Sequence, residues 1–286
     1  GLADEGEVFT NNATTANFTG LNLTSLTHML VEPSTGVLGD LTISDSGNFG
    51  AGVKVDTATY DEVGIISLEA LTENYLTAGA NIEGNTPYVG RFTPHHFTVK
   101  SVVDGDLRGT CNVDDLQVAG FDLPFVYSGQ MLSDALATGA LTYLNINIPS
   151  IVIEARNKND KLTQNYFDDF FKLPESSFVR LIPTADTVIP GKDGNLINLQ
   201  ADLGTPEITV SAGEITYLYA ESDNFVYLHE ENSEVNEFTS SIDLSMVSII
   251  DSDDVETLDY DGDDLNGLIL TLHPDGKLIR FGRAQL

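Results

Sequence analysis

Tryptophan is absent from this 286-residue chain, cysteine occurs once, and Lys plus Arg number 13 against 44 Asp plus Glu. Each shortage excludes something. A single thiol, Cys111, rules out an internal disulfide framework, so any stabilising core must be built by burial alone. Cys111 is then either buried and inert or paired outside this chain. The deficit of basic residues gives a net charge of −31 and a pI near 4.1. Such a surface repels phosphate backbones and anionic lipid headgroups, which excludes nucleic acid and the anionic membrane surface as partners. No run of about 18 apolar residues occurs, so no helix of the chain can insert in a membrane. The first residues, Gly1-Leu2-Ala3-Asp4-Glu5, lack the basic and apolar regions of a signal peptide, so if the protein is exported the signal is expected outside this chain.

Helical periodicity is also scarce. Apolar residues alternate with polar ones or fall in short runs, and turn residues interrupt them every eight to twelve positions or so, the pattern of β-sandwiches and barrels. Hydrophobic residues make up 41% of the chain, enough for cores, and 10 Tyr with 14 Phe must supply their aromatic packing. The expected class is all-β, with immunoglobulin-like or jelly-roll-like sandwiches in tandem. Strands are expected over 21–30, 37–43, 52–59 and 63–71, and then over 96–103, 144–155 and 178–182. Further strands are expected over 196–201, 207–210, 214–220, 225–229, 240–250, 267–272 and 277–281. Residues 131–140 alone fit a short helix, and 167–173 fit one turn. Pro274-Asp275-Gly276 is expected to close a hairpin.

Two boundaries divide the chain. Pro94 cannot continue a helix or donate to a strand ladder, and it marks the first. The turn-rich stretch 184–195, with Pro190-Gly191 and Asp193-Gly194, marks the second. The expected domains are therefore sandwiches over 1–93, 94–190 and 191–286.

Few residues offer chemistry. His95-His96 is the only histidine pair, and adjacent strand residues point to opposite faces, so it reads as a packing pair at a boundary. His28, His229 and His273 are isolated. No nucleophile with a base and an oxyanion hole can be assembled, which argues against an enzyme. Asn12, Asn17 and Asn22 open N-x-Thr sequons that arise from a Thr/Asn-rich stretch. Glu230, Glu231 and Glu234 read as a solvated loop. The acidic run Asp251, Asp253, Asp254, Asp259, Asp261 and Asp263 has two readings: oxygen ligands for Ca²⁺, the one candidate cofactor, or a solvated acidic loop. Its spacing is not that of an EF-hand.

An ordered set of short motifs carries a family resemblance. It runs through Tyr60-Asp61-Glu62-Val63-Gly64, Gly90-Arg91-Phe92-Thr93-Pro94-His95-His96-Phe97 and Phe125-Val126-Tyr127-Ser128-Gly129-Gln130. It continues with Ile153-Glu154-Ala155-Arg156-Asn157 and Thr163-Gln164-Asn165-Tyr166-Phe167, and closes on Arg280-Phe281-Gly282-Arg283. In this order the chain resembles the C-terminal region of the MshQ-like proteins of mannose-sensitive haemagglutinin (MSHA) type IV pilus clusters in marine and aquatic bacteria. Where that family carries Asp-Ser-Asp-Gly-Val, this chain has Asp251-Ser252-Asp253-Asp254-Val255. The resemblance implies an exported, extracellular protein at the bacterial cell surface, with pilus or other surface subunits as partners, and a third sandwich truncated at its C-terminal end. The expected function is a structural or adhesive module. A carbohydrate-binding module of a larger lectin or enzyme, with surface glycans as partners, is the alternative, and exposed aromatics on one sheet face would favour it.

Overall fold

A computed structural model describes residues 25–44, 51, 53, 55–74, 77, 79–109, 124–133, 138–183, 197–228, 235–258 and 269–282. Among these residues the regular elements are strands and short 3-10 turns, as the absence of helical periodicity requires. The chain divides into two compact units between Thr93 and Pro94.

Unit 1, residues 1–93, contains strands β1 (Ser25–Glu32), β2 (Leu41–Ser44), β3 (Thr57–Tyr60), β4 (Gly64–Thr72) and β5 (Ile82–Phe92). β1, β4 and β5 form an antiparallel sheet in that order, and β2 pairs with β3 as a hairpin. Alternation sends Ile66 inward, where it is fully buried beside Val63. Tyr60 packs against Phe92, with ring centroids 5.0 Å apart, and its hydroxyl accepts the Gly39 N–H at 2.9 Å.

Unit 2, residues 94–286, is built on two four-stranded antiparallel sheets. The first orders β15 (Glu207–Ser211), β16 (Glu214–Leu218), β12 (Ser150–Arg156) and β6 (His96–Val103). The second orders β14 (Asn198–Asp202), β17 (Asn224–Leu228), β11 (Leu141–Tyr143) and β7 (Leu107–Gly109). Two three-stranded sheets complete the unit. In one, β19 (Leu244–Ile249) lies between β13 (Phe178–Arg180) and β20 (Leu270–Leu272). In the other, β21 (Leu278–Arg280) lies between β18 (Phe238–Thr239) and β8 (Phe125–Tyr127), and its pairing with β8 is parallel.

Period-two alternation fills the core. Phe97 and Val99, Ile151 and Ile153, and Ile215 and Tyr217 all bury their side chains from the first sheet, and Leu141, Tyr143, Phe225 and Tyr227 do so from the second. Tyrosine takes the place that tryptophan leaves empty. Tyr143 meets Phe225 at 5.7 Å, Tyr217 meets Phe178 at 4.6 Å and Tyr219 at 5.2 Å, and Phe97 meets Tyr166 at 5.3 Å. Such offset and edge-on pairs add about 0.5–1.5 kcal/mol each beyond their buried area.

The fold corrects several expectations. Residues 94–190 and 191–286 are not separate sandwiches. β12 pairs with β6 on one side and with β16 on the other, and β11 lies between β7 and β17, so strands from both segments share each large sheet. Non-local pairing overrides the turn signals, which lie in 184–196, outside the described residues. The helix expected over 131–140 is replaced by strands β9 (Met131–Ser133) and β10 (Thr138–Gly139). Pro274-Asp275-Gly276 does not close a hairpin, since β20 and β21 join different sheets. Asp275 instead donates its N–H to the Gly105 carbonyl and accepts from the Leu107 N–H, each at 2.9 Å. The strand expected over 144–155 begins only at Ser150, because Leu144 and Asn147 close a tight turn ahead of Pro149. The single turn expected within 167–173 is present as the 3-10 turn Asp168–Phe170.

The hairpin joining β15 to β16 shows how sequence selects its turn. Ala212 and Gly213 both take positive φ, at 48° and 81°, as a two-residue turn between twisted strands requires. A Cβ on Gly213 would lie 2.0 Å from the Thr163 carbonyl oxygen, so glycine is required there by contact as well as by conformation.

Candidate functional site

Four basic residues of unit 2, Lys100, Arg156, Arg180 and Arg280, each lie against a carboxylate. Glu154 points away from its core-facing neighbour Ile153, yet it is buried. Burial alone would raise its pKa, but hydrogen bonds from Lys100, at 3.0 Å, and from Arg156 outweigh it and hold the carboxyl below the usual range. Lys100 also bonds Glu214, which raises the pKa of the ammonium group. Arg156 bonds the Asp160 carbonyl, and Asp160 lies 3.4 Å from His96 Nε2. His95 precedes the first residue of β6, so strand alternation does not separate it from His96. The two Nδ1 atoms are 3.1 Å apart, with the rings edge to face. The histidines thus belong to a mixed polar network with Arg156 and Asp160.

A second cluster surrounds Asp223, which is fully buried. It accepts the Gly204 N–H at 2.6 Å and the Tyr143 hydroxyl at 3.2 Å, and Arg180 Nη1 stands 3.5 Å away. Burial is the largest influence and pushes its pKa up to about 6, against the opposing pull of those donors. Arg180 donates to the Gly204 carbonyl at 3.0 Å and lies over the Tyr219 and Tyr217 rings at 5.6 and 6.0 Å. Pro174, Glu175, Ser176, Phe178, Arg180 and Tyr217 line a cleft of about 490 Å³ beside it. The buried Tyr219 hydroxyl finds no hydrogen-bond partner among the described residues.

The acidic run is split by what the structure describes. Asp259, Asp261 and Asp263 lie outside the described residues, as do Cys111, His229, Glu230, Glu231, Glu234 and the three sequons. Asp251 is buried and closes its own loop. Its carboxylate accepts the Tyr166 hydroxyl and the Asp253 N–H at 2.8 Å each and the Val255 N–H at 3.0 Å. Burial raises the Tyr166 pKa strongly. Asp254 sits on the turn with φ of +61°, the left-handed region where glycine costs least. Asp251, Asp253 and Asp254 are thus held on one loop, with the Asp251 oxygens already engaged. Among the described residues no group of three or more His, Cys, Asp or Glu is placed to hold a metal ion.

Unit 1 differs. On the outward face of its β1-β4-β5 sheet, register sets Thr27 opposite Glu69 and Glu69 opposite Asn85. The next row sets Ser25 opposite Leu71 and Leu71 opposite Glu83. These residues, with Ala70 and Gly84, line a cleft of about 290 Å³. Further along the face, Met29 stands opposite Ser67, and a bulge in β5 brings Pro87 and Tyr88 to the same row. Met29 is 54% exposed and Tyr88 is 68% exposed. Sequence reasoning missed this face because its residue types are ordinary for an edge sheet. The signal was the run Glu83-Gly84-Asn85-Thr86-Pro87-Tyr88, where a proline and an exposed aromatic occur within one strand.

The family described as "DUF6701, third domain" matches residues 62–267, a span that begins just before β4 and continues through most of unit 2. No curated protein and no solved structure matches the chain.

Proposed function

We propose, from the premise that this chain belongs to the DUF6701 third-domain family, that it is a non-enzymatic contact module of a bacterial cell-surface protein. One observation carries the reading: the buried carboxylates of unit 2 hold that unit together, while the sheet of unit 1 presents a row of exposed polar side chains with Tyr88. Glu154, Asp223 and Asp251 are each bonded within unit 2 to named neighbours. A scaffold of this kind presents surface and needs no reacting group.

The association with pili and the extracellular location rest on the resemblance of the ordered motifs from Tyr60 to Arg283 to MshQ-like proteins. The net charge of −31 suits salty surroundings, where screening over about 8 Å reduces self-repulsion. Deleting this region in the native host tests the reading. Surface attachment or pilus display should fall. Wild-type attachment and display, with loss of hydrolysis of an extracellular polymer, would replace the contact reading with an enzymatic one. The second reading, a carbohydrate-binding module, is favoured by the exposed ring of Tyr88 beside the polar cleft of unit 1.

A further inference from the structure

We infer that the outward face of the β1-β4-β5 sheet in unit 1 is a binding site for a neutral sugar ring. The inference rests on the contact reading and names the ligand class of its exposed face.

The cleft offers hydroxyls from Ser25 and Thr27, an amide from Asn85 and carboxylates from Glu69 and Glu83. Among the described residues none of these side chains forms a hydrogen bond or ion pair, and each offers donors or acceptors to a ligand in the cleft. Glu69 and Glu83 are diagonal neighbours across β4 and β5, a relation that sets the two residues about 7–8 Å apart, the span of a pyranose ring with its hydroxyls. Carboxylates accept from adjacent sugar hydroxyls, and the Asn85 amide both donates and accepts. Tyr88, one row further along the same face and outside the cleft lining, supplies an exposed ring on which the apolar C–H face of a sugar held at that end stacks. A volume of about 290 Å³ accommodates one ring.

Charge narrows the class. Two carboxylates that no cation pairs among the described residues repel uronic acids, phosphates and sulfated sugars, and the polar floor disfavours a wholly apolar partner. A neutral hexose satisfies the hydrogen-bonding groups without bringing a charge of either sign.

The test uses the full 286-residue chain and amide NMR shifts during titration with D-glucose, D-galactose, D-galacturonate and tetralysine. At least one neutral hexose should shift the amides around Glu69, Asn85 and Tyr88, with a Kd of about 1 mM. D-galacturonate should bind at least about tenfold more weakly, and Glu69→Gln with Glu83→Gln should narrow that gap. Tyr88→Ala should weaken hexose binding about tenfold, while circular dichroism confirms an unchanged fold. The inference is overturned if neither hexose shifts these amides, if Tyr88→Ala binds as the parent does, or if tetralysine alone binds. Loss of attachment on deletion, together with no hexose binding, would leave the contact reading standing and refute the sugar site.

Discussion

Unit 2 and unit 1 are built from the same strand chemistry, but they divide their side chains differently. Unit 2 buries many of its large aromatics: Tyr143, Tyr166, Tyr217 and Tyr227 are among its largest fully buried side chains. In unit 1 the buried apolar residues, among those described, are Val63 and Ile66, while Met29, Val37, Leu38, Ile43, Val53, Val55, Ile82 and Tyr88 are exposed. Buried area is the main source of stability, so unit 2 is the scaffold. Unit 2 also exposes Tyr127, Ile146, Ile182 and Leu258, so exposed apolar surface occurs in both units, and the contact face proposed for unit 1 rests on its row of polar side chains with Tyr88.

The largest expected difference between the units is in core truncation. Tyr217→Ala empties a site bounded by Phe178, Tyr219 and Arg180 and should destabilise unit 2 by about 3–5 kcal/mol, read as a lower urea midpoint. A shift under about 1 kcal/mol would mean that the aromatic cluster does not hold the scaffold.

Next in size is a pH effect confined to unit 2. The Asp223 carboxyl is raised to about 6 from 3.8 by burial, so the fold disfavours its ionised form. The penalty is full above about pH 6 and vanishes below about pH 4. Unit 2 should therefore gain stability as pH falls from 7 to 4, by up to about 3 kcal/mol from this group. Asp223→Asn should flatten that rise in a series of urea midpoints. Glu154 has the opposite sign. Its pKa is held down, so its contribution is present at neutral pH and is lost only as acid titrates it below the ordinary carboxylate range. A wild-type midpoint that falls steadily from pH 7 to 4 would contradict the assignment.

A smaller gain is expected at the Asp251 loop. Asp254→Gly removes a side chain from a left-handed position and should raise the unit 2 midpoint by up to about 1 kcal/mol. A loss of stability would show that the Asp254 carboxylate holds the turn. The smallest effects belong to unit 1, where Met29→Ser and Glu69→Gln should change stability by less than about 0.5 kcal/mol. A larger loss from either would mean that this face is packed and not open.

The strand rhythm was legible in the sequence because burial on one face imposes a period of two, and 96–103 was read with the same limits as β6. Interleaving of the two halves of unit 2 was not legible. Nothing local to β12 states that it pairs with both β6 and β16, since that choice is made by residues far apart in the chain. The acidic run was visible as charge, but the capping role of Asp251 depends on Tyr166, which lies 85 positions away. The face around Glu69 and Tyr88 was invisible for a related reason. Its rows exist only once register sets Thr27, Glu69 and Asn85 side by side.

Surface attachment of host cells carrying Glu69→Ala, Asn85→Ala and Tyr88→Ala together, compared with wild-type cells displaying equal amounts of the protein, tests the division between scaffold and contact face most directly. Attachment should fall toward the level of the deletion while the amount displayed and the urea midpoint of unit 2 stay unchanged. Attachment at the wild-type level, with display intact, would contradict the account.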